Sequence, residues 1–124
     1  MYSNKKILSL TSIVIFLLQI LTIQAQDAKT LYNNGILKKG KGDLQGSIVD
    51  FTKAIELQPN YADAFNNRGT SYFELKEFDK ALADFNQTLK LDSTFIKAYI
   101  NRGSVEYEMN NYTDALKDFN KAVS

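Results

Sequence analysis

The sequence predicts an all-α fold, a solenoid of three stacked helix–turn–helix repeats behind an apolar N-terminal segment. Two observations carry this prediction. Five series of residues recur every 34 positions, and within each copy the apolar residues follow helical spacing. The copies span residues 28–61, 62–95 and 96–124, and the last is shorter than the period. No part of the sequence has a pattern typical of a strand.

The 34-residue period is defined by glycine, aromatic, small, acidic and amide residues in one register. These series are Gly35, Gly69 and Gly103; Phe51, Phe85 and Phe119; Ser47, Ala81 and Ala115; Asp50, Asp84 and Asp118; and Asn33, Asn67 and Asn101. Five series in the same register are hard to obtain by chance. A fixed period of this length indicates a repeat architecture in which each unit stacks on the next.

Each copy contains two helical patterns separated by a short break. In the second copy these patterns cover residues 65–73 and 78–89, on either side of a break at 76–77. The first copy breaks at residues 40–43, between predicted helices at 31–39 and 44–57. Its second helix ends before Pro59, because proline cannot continue a helix. The sequence therefore predicts six helices.

Small residues predict where the two helices of a repeat touch. Antiparallel helices approach closely only where one of them presents no bulky side chain, so we expect Gly69 to face Ala81, with Phe85 beside it. A glycine inside a helix costs about 1 kcal/mol relative to alanine, and its recurrence at one register favours a packing role. The equivalent residues of the other copies are Gly35, Phe51, Gly103, Ala115 and Phe119.

These residues resemble the tetratricopeptide repeat family, whose repeat carries aromatic, Gly, Tyr, Ala and Pro residues at fixed positions. The second copy matches through Phe65, Gly69, Tyr72, Ala81 and Phe85. The resemblance covers residues 28–124. It implies a right-handed superhelical α-solenoid that binds a peptide or protein in a concave groove and performs no catalysis.

Two arginines depart from the family pattern. Arg68 and Arg102 precede recurring glycines, where the family usually has Leu. A buried arginine is tolerated mainly when it is paired, so we expect each within ~4 Å of an aspartate. The first copy, which follows no other repeat, has Asn at this position. We therefore favour the cross-repeat pairs Arg68–Asp50 and Arg102–Asp84; the alternatives are Asp84 and Asp118 of the same repeat.

The resemblance also implies which positions of each first helix line the concave groove. Aromatic and aliphatic residues flanked by amides suit an extended or helical peptide, because an Asn side chain can donate to C=O and accept from N–H groups. The alternative is that the Asn series only caps or spaces the helices. The groove positions are Lys29, Tyr32, Asn33, Ile36, Lys39, Asp63, Asn66, Asn67, Thr70, Phe73, Glu74, Lys97, Ile100, Asn101, Ser104, Tyr107 and Glu108.

One subclass of the family binds the acidic C-terminal tails of heat-shock chaperones. It uses Lys and Asn in the first copy, Asn in the second, and Lys and Arg in the third. Here Asn67 and Lys97 match, whereas Tyr32, Ile36 and Asn101 stand at the other positions. Two matches of five argue against that ligand.

The N-terminal 25 residues have the pattern of a secretory signal peptide. Lys5 and Lys6 precede the apolar, uncharged residues 7–23, and a small residue, Ala25, lies where polarity returns. We expect cleavage after Ala25 and export to the periplasm or beyond, in a bacterial envelope. The alternative is a membrane anchor formed by residues 7–23, at the short end of the ~17–25 residues that span a bilayer.

Composition excludes several classes of function. The 124 residues include no Cys and no His, so thiol nucleophiles, disulfides, and thiolate or imidazole metal ligands are absent. A formal charge of +1 argues against nucleic-acid binding. Residues 35–42 approach a phosphate-binding loop, but Gly42 stands where that motif needs a hydroxyl group and no strand precedes it. We expect no catalytic residue, metal or cofactor.

The third copy ends at Ser124 without the polar capping helix that solenoids normally carry. Leu116, Phe119 and Val123 would then have an open side. We expect one of three explanations: self-association as a homodimer, a covering partner, or origin in a longer protein. The first hypothesis for function is an exported, non-enzymatic adaptor of unknown partner, and the second is a structural self-association module.

Overall fold

The computed structural model describes residues 7–124, which contain six α-helices and no strand. The helices are α1 Leu10–Gly40, α2 Leu44–Leu57, α3 Ala62–Glu74, α4 Phe78–Leu91, α5 Ile96–Glu108 and α6 Tyr112–Val123. This architecture confirms the predicted all-α fold class. The expectations for Lys5 and Lys6 lie outside the described residues.

Short connections pair the helices as three hairpins, α1–α2, α3–α4 and α5–α6. The hairpins stack through contacts of α2 with α3 and of α4 with α5. Contacts of α1 with α3 and of α3 with α5 place the three first helices side by side. Their shared face is the concave side on which the candidate site lies.

The first helix is much longer than the sequence pattern predicted. Instead of covering residues 31–39, α1 begins at Leu10, where the Ser9 hydroxyl accepts the Ser12 N–H at 3.2 Å. It continues because residues 10–34 contain neither Gly nor Pro. Apolar periodicity could not reveal this, since apolar residues occur on every side of the helix over residues 10–23. Burial starts only at Ala28, which is fully buried.

The predicted breaks between helices are confirmed. Helix α1 ends at Gly40, and Gly42 has a φ of 82°, a left-handed conformation that glycine adopts without strain. The Asp43 side chain then accepts the Gly46 N–H at 2.9 Å and caps α2. The turns of the other two hairpins contain Lys76 and Asn110, with φ of 60° and 64°.

Each hairpin closes where a phenylalanine ring covers a glycine. A Cβ atom on Gly69 would lie 2.7 Å from Cε1 of Phe85, closer than real side chains approach. The equivalent distances in the first and third hairpins are 2.6 and 2.8 Å. Ala81 and Phe85 are fully buried, and together with Val105 of the next hairpin they form a core cluster. The structure thus brings the predicted Gly and Phe series into contact.

Candidate functional site

Two arginines hold their hairpins together through bidentate ion pairs. Arg68 Nε and Nη2 donate to Asp84 Oδ2 and Oδ1 at 2.8 and 2.7 Å. Arg102 donates to Asp118 in the same way at 2.6 and 2.7 Å. The preferred cross-repeat pairing was therefore wrong, and the alternative within one repeat is correct. A bidentate match between guanidinium and carboxylate explains this choice, because both carboxylate oxygens of the aspartate on the facing helix lie within hydrogen-bond distance of the fork.

The link to the preceding repeat is made by a different atom of each arginine. Arg68 Nη1 donates to Thr52 Oγ1 at 3.1 Å, and Arg102 Nη1 donates to Asn86 Oδ1 at 2.8 Å. Asp50, which we expected to pair with Arg68, instead forms an ion pair with Lys38 at 2.7 Å. The repeat pattern did not predict the roles of Thr52 and Asn86, which depend on how the hairpins stack.

Burial and pairing act on the pKa values of the Arg68–Asp84 pair in opposite ways. Burial raises the pKa of Asp84, and the hydrogen bond and charge of Arg68 lower it only in part. Burial would lower the pKa of Arg68, but the hydrogen bond and charge of Asp84 outweigh this effect and raise it. The pair links α3 to α4 within the second hairpin.

Asparagine amides link neighbouring first helices across the concave face. Asn67 Nδ2 donates to Tyr32 Oη at 3.1 Å and to the Asp63 carbonyl at 2.9 Å. Asn101 Nδ2 donates to Asn66 Oδ1 at 3.0 Å. Both amide hydrogens of Asn67 are thus engaged within the protein, and its carbonyl oxygen is the atom left to meet a ligand.

A lysine bridges the other end of the groove. Lys39 Nζ donates to Thr70 Oγ1 and lies 3.4 Å from Glu74 Oε1, which joins α1 to α3. Phe73 is half-buried and packs on Phe78 with 5.9 Å between ring centroids. Lys39 therefore contributes to stacking of the first two repeats, and Phe73 to packing within the second hairpin.

The predicted groove residues fall into three groups by exposure. Asn66 is buried but still lines the cavity at one end of the groove, and its side chain carries the link to α5. The half-buried members are Tyr32, Lys39, Asn67, Thr70, Phe73, Asn101 and Ser104. The exposed members are Lys29, Asn33, Ile36, Asp63, Glu74, Lys97, Ile100, Tyr107 and Glu108.

A cavity of about 480 Å³ opens at the end of the groove where α3 and α5 begin. Tyr32, Asn67 and Lys97 line it together with loop residues that sequence reasoning missed, Thr94 and Phe95. They were missed because the family's groove positions lie on helices, whereas this wall is the connection before α5. Within residues 7–124 no cluster of three carboxylates is placed to hold a metal ion.

The Tyr32 ring stacks on Tyr61 at the edge of this cavity, with centroids 5.0 Å apart. Burial, the Asp63 carboxylate and Tyr61 raise the pKa of Tyr32, and the hydrogen bond from Asn67 opposes them. Burial and Asp63 also raise the pKa of Tyr61. Both phenols are therefore held in the neutral form.

We expect this pair to make stability fall at alkaline pH. The pKa of each tyrosine is higher in the folded state than in the unfolded state. The neutral phenols therefore stabilise the fold fully below about pH 10, and this stabilisation is lost as the pH rises through the folded-state pKa. The thermal unfolding midpoint of the wild type should decline as the pH rises across the alkaline range. The midpoint of Tyr32→Phe should decline less steeply, because one ionising group is gone. Equal slopes for the two proteins would contradict the assignment.

Helix α1 is long and apolar enough, by length and composition, to cross a membrane. Its 18-residue apolar window has a mean hydropathy of 1.4, lies near the N-terminus, and has none of its residues buried. A signal sequence has the same properties.

Family models for the tetratricopeptide repeat match most of the chain. They cover residues 62–95 and 96–124, and a related TPR repeat model covers 37–76. No curated protein sequence gives a significant match.

Solved tetratricopeptide repeat structures are similar in fold. The first TPR of Spaghetti (RPAP3) bound to the HSP90 peptide SRMEEVD is 28% identical, with a TM-score of 0.79 over 80% of this chain and 79% of that one. MamA is 29% identical, with a TM-score of 0.76 over 80% of this chain and 58% of MamA. The Arabidopsis OM64 TPR domain, at 24% identity and a TM-score of 0.80 over 81% and 83% of the two chains, shows the fold alone.

The repeat period, the glycine–phenylalanine contacts within each hairpin, the family models and these structures agree. The chain belongs to the tetratricopeptide repeat family.

Proposed function

We propose that this protein is a non-catalytic interaction module that binds an extended peptide segment in the concave groove. The observation that carries the proposal is a set of apolar side chains left exposed between amides. Ile36, Ile100 and Tyr107 are 38%, 44% and 58% exposed on the first helices. Their exposure supports a partner that would cover them, and the adjoining 480 Å³ cavity has room for a large side chain.

The structure of the RPAP3 domain with an HSP90 peptide supports peptide binding on this fold. The peptide in that complex, SRMEEVD, carries three carboxylate side chains and is nevertheless a poor ligand for this chain. A carboxylate needs hydrogen-bond donors, and both amide hydrogens of Asn67 already bind Tyr32 and Asp63. The acceptor that remains on Asn67 suits the N–H groups of a peptide backbone.

Substitutions at the exposed apolar groove residues test this proposal. The half-buried Tyr32 and Phe73 are unsuitable, because they also pack on Tyr61 and Phe78 within the fold. Random peptides displayed on phage should be selected on the wild-type chain and on an Ile36→Arg/Ile100→Arg variant. We expect enriched peptides to bind the variant at least ~10-fold more weakly, because an introduced arginine blocks apolar contact and one tenfold step is about 1.4 kcal/mol.

Equal binding of those peptides to both proteins would refute the groove assignment. A Val49→Arg variant serves as the control, since Val49 is 50% exposed on α2, outside the first helices. It should bind the same peptides as the wild type.

We further propose that the module is exported after cleavage following Ala25. Burial begins at Ala28, so cleavage there removes the exposed apolar half of α1 and retains the packed half. Asp27 would then lie in the first turn of the shortened helix, where a negative charge is favourable. The protein should be isolated from the envelope fraction of the producing cell and its N-terminal peptide identified by mass spectrometry. We expect that peptide to begin at Gln26. A peptide that retains residues 7–23 would favour the membrane anchor instead.

Self-association is a second candidate function, favoured by the outer face of α6. Tyr112, Leu116 and Val123 are 56%, 60% and 86% exposed there, and a pocket of about 250 Å³ lies between Tyr107 and Phe119. Light scattering at micromolar concentration should then give twice the monomer mass, and Leu116→Lys should restore the monomer. A monomeric wild-type chain would refute this candidate.

A further inference from the structure

One residue of each following first helix fills the junction between two hairpins of the stack. At the first junction Ser71 of α3 is fully buried and shares a hydrogen bond of 2.9 Å with Ser47 of α2. At the second junction Val105 of α5, 34 residues after Ser71, is fully buried in a cluster with Ala81 and Phe85 of α4. We call this residue the knob, and the residues of the preceding hairpin that surround it the hole.

The third hairpin carries the same hole. A pocket of about 250 Å³ there is lined by Tyr107, Tyr112, Ala115, Leu116 and Phe119. Each of these residues stands 34 positions after a residue that packs in the cluster around the knob of α5. Leu116 is 60% exposed, so within residues 7–124 no helix covers this hole as α3 and α5 cover the other two.

Helix α1 carries the matching knob at the opposite end of the stack. Leu37 stands 34 residues before Ser71 and 68 before Val105. It is 61% exposed, whereas both of those residues are fully buried. Its side chain is apolar and one methylene larger than valine, which suits a hole lined by aromatic rings and Leu116. The chain thus has a knob at one end of the stack and a hole at the other.

The polar residues around the two end faces are compatible with contact between them. At the second junction Met109 of α5 and Lys80 of α4 line one cavity. The equivalent residues of the two end faces are Lys41 and Asp114, which are exposed and opposite in charge. Thr30 lies two helical turns before the knob of α1, and its hydroxyl group already donates to a carbonyl of the same helix at 3.0 Å. Contact would therefore pair opposite charges and leave this hydroxyl satisfied.

We propose that the hole of the third hairpin takes Leu37 of a second copy of this chain, so that copies stack head to tail. This inference rests on self-association, the second candidate function, and specifies its geometry. Because the contact joins two different faces, a pair of copies still has one free knob and one free hole. Assembly therefore continues past the pair as the concentration rises. Helix α1 of the added copy would lie beside α5, as α1 lies beside α3 within one chain, so the concave face would continue from copy to copy.

Disulfide cross-linking tests which faces meet, because the chain has no cysteine of its own. Full-length Leu37→Cys and Ala115→Cys, each with a different affinity tag, are produced in the same cells and oxidised. The equivalent side chains Ser71 and Ser47 are in hydrogen-bond contact, so the two sulfur atoms can meet. We expect a cross-linked pair that carries both tags, and no cross-link when either variant is produced alone. Val49→Cys on the exposed side of α2 is the control, and it should not cross-link to Ala115→Cys.

Charge variants provide a second test that needs no cross-link. Leu37→Lys and Leu116→Lys both replace exposed side chains, so neither should unfold the chain. Copies of either variant with different tags should co-purify at least ~10-fold less than wild-type copies, because the ammonium group would enter an apolar contact. Leu37→Lys produced together with Leu116→Lys should co-purify again, since one keeps the hole and the other the knob. Val49→Lys should co-purify as the wild type does.

The two tests separate the possible geometries. Cross-linking of Ala115→Cys with itself, or wild-type co-purification of Leu37→Lys, would overturn the head-to-tail contact and leave self-association through α6 intact. The absence of both cross-links and co-purification would refute self-association itself. Neither result bears on peptide binding, which the Ile36→Arg/Ile100→Arg variant tests separately.

Discussion

Replacing Phe85 by alanine is expected to destabilise the protein by about 3 to 5 kcal/mol, the usual range for a buried phenylalanine. The ring is fully buried, fills the space beside Gly69 and belongs to a cluster with Val105 of the next hairpin. Its loss therefore weakens both the second hairpin and the interface with the third. Urea unfolding followed by circular dichroism should show the change as a large drop in midpoint.

Phe119 provides the matched control. It covers Gly103 in the same way but is half-buried, because no hairpin packs beyond α6 within the described residues. Phe119→Ala should therefore cost clearly less than Phe85→Ala. A loss under ~1 kcal/mol for Phe85→Ala would mean that the glycine–phenylalanine contact does not hold the hairpin together.

The glycine side of the contact can be tested separately. Gly69→Ala adds a methyl group 2.7 Å from the Phe85 ring, and such overpacking costs about 1 to 3 kcal/mol, which cancels or exceeds the ~1 kcal/mol gained in helix propensity. At Gly40 an added Cβ would meet nothing within 4 Å, so Gly40→Ala should be neutral or stabilising.

Replacing Arg68 by methionine is the second change expected to have a large effect, a loss of about 2 to 4 kcal/mol at neutral pH. The Asp84 side chain is only 6% exposed, and without the guanidinium its charge would be buried with no cation. The range lies below that for a fully buried pair because Arg68 remains 17% exposed. Urea midpoints at pH 7 should show the loss.

The same variant should recover stability as the pH falls. Burial already raises the pKa of Asp84, and Arg68→Met removes the group that lowers it. The folded-state pKa of Asp84 then lies above its unfolded value of about 4. Protonation of Asp84 therefore stabilises the folded state as the pH falls from the folded-state pKa towards the unfolded one. Arg68→Met/Asp84→Leu should regain most of the loss at pH 7, because an apolar pair can replace a buried ion pair. A deficit independent of pH would contradict the buried-charge explanation.

The sequence predicted the repeated parts of this fold because the period repeats the same physical problem three times. Gly35, Gly69 and Gly103 leave space that a large side chain of the facing helix can fill. In each copy a phenylalanine follows the glycine at the same distance along the chain. The turn at residues 40–43 and the stop at Pro59 followed from backbone restrictions alone.

The pairing of the arginines could not be settled in the same way. Register places Asp50 and Asp84 at comparable positions on either side of Arg68, and only the orientation of the guanidinium fork decides between them. In the structure Nε and Nη2 of Arg68 bind the Asp84 carboxylate, and Nη1 donates to Thr52. Likewise, nothing in the repeat pattern showed that Asn66 would be buried and would accept a hydrogen bond from Asn101.

The most direct test of the central claim is to find which helices a bound peptide touches. Backbone amide shifts should be followed by NMR while a peptide selected on the wild-type chain is added. We expect the shifted amides to lie on α1, α3 and α5, with the largest changes around Ile100 and Tyr107. Changes confined to α2, α4 and α6 would contradict a ligand site on the concave face.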